Sequence, residues 1–262
     1  KRTACSRNHI DTDRRVVQMT KIIGFSGKKQ SGKGTSANML HGMVMKSRGM
    51  VKDFRLSDAG ELIIQTTDSA GVLDWGIFDV QRRDAAFVEY ADRELWPYIK
   101  MYSFADTLKW LCVDLFNIDA HKIYGNDEQK NELTQYDWCA MPGSRRRNAK
   151  LMTGREFMQH FGTNVMRKMY ENVWVDNTMK RILQEGSSIA VIGDVRFPSE
   201  ANAILENDGD VVRLTRNPYD DQHESELALD PKNYDQDKFT HDVDNEDSDI
   251  ADLCWFINST YQ

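Results

Sequence analysis

The 262-residue chain is 40% apolar and 29% charged, with a net charge of −7. That is the balance of a globular protein with one substantial core and room for one or two insertions. An acidic surface excludes a duplex-binding module built on dense Lys and Arg, so no stable nucleic-acid binding is expected. No apolar run approaches the roughly eighteen residues of a membrane span, and no signal-like apolar region opens the chain. The expectation is therefore no membrane association and a cytoplasmic location.

Residues 1–18 hold five Lys or Arg against two Asp, and they lack any apolar period. They read as a flexible, dispensable N-terminal extension, with a basic nucleic-acid arm as the other reading. Residues 19–262 form the expected single domain. Four widely spaced cysteines (Cys5, Cys112, Cys139, Cys254) contain no C-x-x-C pair. They support neither a zinc site nor a disulfide framework, and are expected as reduced thiols, at least two of them buried.

Lys21-Ile22-Ile23-Gly24-Phe25-Ser26 reads as a buried strand of a parallel sheet. The segment Gly27-Lys28-Lys29-Gln30-Ser31-Gly32-Lys33 follows and matches G-x-x-x-x-G-K, the phosphate-binding loop. Its glycines let the backbone wrap phosphate oxygens, the next helix adds positive potential, and Lys33 supplies a point charge. The pattern expects Ser or Thr directly after the lysine, to help hold Mg²⁺. Gly34 stands there instead, so Thr35 is the expected metal ligand. Gly27, Lys29, Ser31, Gly32, Lys33, Gly34 and Thr35 are the candidate ATP contacts.

A helix over Gly34 to Met45 completes the strand–loop–helix opening of a βαβ unit. Ile99 to Phe104 predicts a second strand and Ala105 to Phe116 a helix. Arg155 to Tyr170 and Val173 to Gln184 are further helices. Ser188 to Gly193 is a strong strand, with Pro198 to Leu205 helical behind it. Val211 to Leu214 predicts a short strand, and Ile250 to Ile257 a closing helix. This alternation points to an α/β protein with a mostly parallel, doubly wound sheet. Residues 58–98 and 119–150 fit it poorly and read as insertions over the binding edge. The second ends in Arg145-Arg146-Arg147, either a lid carrying positive charge or a solvated basic loop.

Several blocks together carry a family resemblance: Lys21 to Thr35, Ser103 to Lys109, Arg155 to Val175, Asp194 to Glu200, and His223-Glu224-Ser225-Glu226. From Lys21 onward the chain resembles the deoxynucleoside monophosphate kinases of tailed bacteriophages, within the P-loop kinase superfamily, and Gly32-Lys33-Gly34-Thr35 is similar to the loop of adenylate kinase. The resemblance implies a three-layer fold with a helical acceptor-binding insertion and a lid. It also implies ATP and Mg²⁺, and transfer of the γ-phosphoryl group to a deoxynucleoside 5′-monophosphate in host-cell DNA precursor synthesis. More than one acceptor is expected, dGMP and dTMP among them. A homodimer is left open.

Under that resemblance Lys109, Arg155 and Arg167 are the acceptor-phosphate cations, since a guanidinium binds phosphate bidentately. Asp194, at the end of a strand, would bind Mg²⁺ through water or orient the acceptor; the plainer role is to cap the next helix. Arg196 would neutralise the transferring group, and Glu200 would hold Arg196 or the sugar; a surface ion pair is the competing reading. Lys33, Asp194 and Arg196 are the catalytic candidates. Trp174 would stack on the acceptor base, or belong to the core. Arg216 would face the ATP base. His223 and His241 lack the spacing of a metal shell, and the His223 block reads as a surface element. Another small-molecule P-loop kinase, dephospho-coenzyme A kinase-like, or a non-catalytic ATP-binding regulatory module would share the loop.

Overall fold

The computed structural model describes residues 20–67, 70–141, 150–218, 224–245 and 250–261. The expected N-terminal extension, Arg145–Arg147 and His223 lie outside the described residues.

The elements run β1 (Lys21–Gly27), α1 (Lys33–Ser47), β2 (Asp53–Leu56), β3 (Leu62–Thr67), β4 (Leu73–Ile77), α2 (Ala85–Tyr90) and β5 (Ile99–Tyr102). Next come α3 (Asp106–Asp114), α4 (Ala120–Tyr124), α5 (Asp127–Lys130), β6 (Leu133–Asp137), β7 (Leu151–Thr153) and α6 (Gly154–Gln159), the last continued by a π-helical stretch, His160–Arg167. The chain ends with α7 (Val173–Glu185), β8 (Ile189–Val195), α8 (Pro198–Leu205), β9 (Asp210–Leu214), α9 (Glu224–Leu227), β10 (His241–Val243) and α10 (Ile250–Tyr261).

Five strands form a parallel central sheet in the order β10-β9-β1-β8-β5. Strand alternation sends Ile23, Phe25, Val191 and Val212 to one face, against α1 and α10. Ile22, Ala190, Ile192 and Val211 go to the other, against α7 and α8. Ile22, Ile23 and Phe25 are each at most 1% exposed, and such burial stabilises by about 1.5–3 kcal/mol per side chain. Close packing of α8 requires Gly24, where a Cβ would fall 2.5 Å from Ile204 Cδ1. The result is the expected three-layer α/β fold of P-loop kinases.

The insertions begin and end differently from expectation. An antiparallel sheet β2-β3-β4 opens at Asp53, so its first hairpin straddles residue 58. β6 pairs with β7 across residue 150. A third small core, including Ile118, Ile123, Met152 and Phe157, lies under α4 and α6. Among the described cysteines Cys112 is buried, Cys254 is half-buried and Cys139 is exposed; Cys5 lies outside the described residues. No helix among the described residues is long and apolar enough to cross a membrane.

Candidate functional site

The carboxyl ends of β1 and β8 lie side by side at the sheet's centre, where the order of connections reverses and ligands bind in open α/β sheets. Beyond β1 the loop turns tightly into α1. Gly27 has φ +144°, and a Cβ there would fall 2.7 Å from Leu214 O. Gly32 caps α1 in a left-handed conformation, and among the described residues no side chain caps the helix's first amides. Those amides point to the space beyond the loop. Ser31 Oγ is buried with no hydrogen-bond partner among the described residues. Open helix amides beside an unsatisfied hydroxyl suit an anionic, oxygen-rich group such as a polyphosphate.

Lys33 folds back over this loop, donating from Nζ to Gly27 O and Lys28 O at 2.6 Å each. Burial, with the nearby Arg196 charge, lowers its pKa from 10.5 to about 8 against the pull of Glu226 and Asp194. A cavity of about 1,200 Å³ opens in front. Of the candidate donor contacts, Ser31, Gly32, Lys33, Gly34, Thr35 and Arg216 line it. Gly27 and Lys29 do not line it. Lys29 Nζ instead meets Asp127 Oδ2 at 2.6 Å, and the Lys29 amide donates to Glu226 Oε2 at 3.0 Å.

A second cavity, about 440 Å³, lies on the far side of Gly193, which borders both. It gathers Lys109, Arg155, Arg167, Trp174, Asp194, Arg196 and Glu200, dispersed over 92 positions of sequence. Lys130 of α5, which the sequence reading missed, joins them. Burial lowers its pKa first, and repulsion from Lys109 and Arg155 adds to the shift. Three cations gathered this closely mark a place for an anion.

The carboxylates here have settled partners. Asp194 accepts from Ser103 Oγ at 2.5 Å and from the Phe104 amide at 3.2 Å. It ties β8 to the turn after β5 and does not cap α8. That bond belongs to Glu200, whose Oε2 accepts from the amides of Arg196 and Phe197 at 2.8 and 3.1 Å. Glu200 Oε1 accepts from Arg167 at 2.7 Å. Glu200 is 2% exposed, and burial with the Asp194 charge raises its pKa to about 7 against the pull of Arg167. Glu200 therefore holds Arg167 and not the Arg196 guanidinium, which Glu226 takes.

Glu226 itself is 9% exposed. The expected surface element is thus in part a buried wall, because the Lys29 amide and Arg196 draw the carboxylate inward while Lys28 Nζ donates to the Glu226 backbone carbonyl. Trp174 is 4% exposed, and its ring N–H donates to Gly162 O at 3.2 Å. Little of its face is open for stacking, since the ring is spent on packing in the cavity wall.

Thr35 and Asp194 border different cavities. Among the described residues no cluster of three His, Cys, Asp or Glu side chains is placed to hold a metal. One hydroxyl and one carboxylate fit Mg²⁺ that keeps waters and rides on substrate phosphates, because that ion is seldom held in an all-protein cage.

A sequence model of the deoxynucleotide monophosphate kinase family matches residues 21–253. The chain belongs to this family. A protein of Acanthamoeba polyphaga mimivirus named "Putative deoxynucleotide monophosphate kinase" is 32% identical over 136 residues, 48% of this chain and 67% of that protein. Membership of the deoxynucleotide monophosphate kinase family gives the chain a nucleotide kinase role. The relative comes from a giant virus, so this match carries the kinase family and not the phage source.

Proposed function

We propose that the protein transfers the γ-phosphoryl group of ATP to a deoxynucleoside 5′-monophosphate, giving ADP and the deoxynucleoside diphosphate. The observation that carries this reading is the pair of cavities meeting at Gly193, one fronting open helix amides and the other holding mutually repelling cations. Two anionic substrates brought together across one glycine suit in-line phosphoryl transfer.

In this reading Lys33 and the loop amides hold the donor phosphates. Lys109, Lys130, Arg155 and Arg167 hold the acceptor phosphate, with Glu200 fixing Arg167. Arg196 and Lys33 neutralise the group in flight, and Asp194 fixes the turn that shapes the acceptor cavity. Thr35 and Asp194 are the residues to which Mg²⁺ would be referred. The ion supplies charge neutralisation on phosphate oxygens. Positioning and charge carry such a reaction, so no general base is assigned.

A coupled ADP-release assay across the common deoxynucleoside and ribonucleoside monophosphates tests the proposal. We expect turnover with more than one deoxynucleoside monophosphate, dGMP and dTMP among them, and weaker use of the ribonucleotides. ATP binding with no product from any monophosphate would leave a binding module. Turnover with dephospho-coenzyme A alone would move the acceptor to another class.

A further inference from the structure

Three lysines and one arginine surround the loop, and each is already satisfied by the protein. Lys28 Nζ meets Asp230 Oδ1 at 2.5 Å, Lys29 Nζ meets Asp127, and Lys33 Nζ meets two loop carbonyls. The fourth, Arg196, is paired with Glu226. Glu226 is unlike the other acidic partners. Its side chain is 5% exposed, where those of Asp230 and Asp127 are 33% and 56%. One carboxylate oxygen takes a loop amide, from Lys29, and the other takes the guanidinium. A backbone N–H and an arginine around one buried anion are the partners that a phosphate oxygen also seeks.

We infer that Glu226 stands in for a phosphate when no nucleotide is bound, and that donor binding displaces it and frees Arg196 for the transferring group. The inference rests on the phosphoryl-transfer reading above. Neither donor lines the first cavity, but Arg196 and Glu226 both lie close enough to Lys33 to act on it, so a terminal phosphate that reaches past Lys33 competes with the carboxylate for the same pair of donors until the carboxylate leaves. Lys33 feels the same charge, since Glu226 favours its protonated form. Space to retreat lies alongside: Glu226 borders a separate cavity of about 270 Å³, whose wall includes Arg213, Thr215 and Gln236. Glu226 is in this sense a positioning residue. It holds Arg196 out of the reaction until the donor has arrived, which would suppress premature ATP hydrolysis.

The test is calorimetric titration of ATP, and separately of inorganic pyrophosphate, into the full chain and its Glu226→Gln variant. Removing the competing charge should tighten both by about tenfold, the scale of one nearby like charge in a partly buried site. It should also raise ATP hydrolysis without acceptor. Binding unchanged or weakened in a variant that melts like the parent makes Glu226 a brace of the loop and overturns the inference. The unmodified protein gives a second measurement that does not depend on the variant folding. The Glu226 carboxyl carbon resonance should move on pyrophosphate titration, and a resonance that stays fixed at saturation refutes displacement. If neither protein binds ATP or pyrophosphate, the donor-site reading falls as well, which separates the two failures.

Discussion

Asn245, just beyond β10, donates from Nδ2 to Ser31 O at 2.8 Å and so anchors the phosphate loop to the sheet's far edge. Its Oδ1 accepts from the Arg216 amide at 2.9 Å, and its own amide donates to Thr215 Oγ1 at 3.2 Å. Asn245 is 4% exposed. Replacing it with alanine strands a buried carbonyl and a backbone amide, at about 1–3 kcal/mol for each group left unsatisfied. We expect Asn245→Ala to lower the melting temperature and to raise the KM for ATP while the acceptor KM stays near the parent value. An equal rise in both would show that the anchor serves the whole cleft.

That anchor also marks the limit of what the sequence discloses. β1, α1, α7, β8, α8 and β9 were legible because apolar runs and helical spacing are local, and Pro198 to Leu205 was read to the residue. The candidate acceptor residues were named from family blocks, and the fold brings all of them to one cavity. Asn245 was not legible, and Glu226, though part of a resemblance block, was read as a surface residue. They reach their loop partners across 214 and 197 positions, and nothing near either residue announces the contact. β10 was missed because three residues carry no period. β4 was missed although Leu73, Trp75 and Ile77 alternate, since those side chains lie exposed on an edge strand with no buried face to give the pattern meaning.

Lys33 is held at a cost to stability. The unfolded lysine keeps its proton to 10.5 and the folded one to about 8. Between those values the unfolded state binds more protons, so this group's contribution to stability rises with pH across that window. Lys33→Met removes the buried charge and should be more stable than the parent at pH 7, by up to about 3 kcal/mol. Its advantage should shrink as pH climbs through 8 to 10.5, in melting curves taken at both ends. Phosphoryl transfer should fall on the order of a thousand-fold. Turnover within tenfold of the parent would mean that Lys33 does not touch the donor phosphates.

Glu200 has the opposite sign. Its folded pKa of about 7 lies above the ordinary 4.5, so the folded state keeps a proton that the unfolded chain has released. The stabilisation is complete below 4.5 and is lost as pH rises through about 7. Glu200→Gln cannot titrate, so the stability of variant relative to parent should climb across that interval and level off above it. Glu200→Ala instead strands Arg167 and two amides and should cost about 3–5 kcal/mol at low pH, as for other broken buried pairs, a cost that shrinks across the same interval. A flat difference between parent and Glu200→Gln would assign the carboxyl an ordinary pKa.

Trp174 has two duties in one ring. Truncation to alanine empties a buried site and should cost about 3–5 kcal/mol. Because the ring walls only the second cavity, the acceptor KM should rise more than the ATP KM. Trp174→Phe retains most of the packing and loses the bond to Gly162 O. We expect it to recover most of the stability. An ATP KM that rises alone in either variant would detach Trp174 from the acceptor.

In the proposed reading a hydroxyl close to the loop lysine refers Mg²⁺ to the protein. Gly34 stands where the general phosphate-loop pattern places Ser or Thr, and a Cβ there would meet nothing within 4 Å. Thr35 is one residue further on, packed so that a Cβ on Gly60 would fall 2.2 Å from its Oγ1. Thr35→Val keeps the shape and removes the hydroxyl. It should raise the Mg²⁺ concentration for half-maximal activity several-fold and leave the melting temperature unchanged. Gly34→Ser fits the open space and should stabilise α1 by about 0.5–1 kcal/mol, because glycine is a poor helix residue. Combined with Thr35→Val, it offers a hydroxyl from the neighbouring position. Recovery of the Mg²⁺ response in the double variant would show that any hydroxyl at this turn serves. Failure, with the fold intact, would fix the role on Thr35 and its packing against the Gly60 turn. A Thr35→Val enzyme with the parent's Mg²⁺ response would remove Thr35 from the metal altogether.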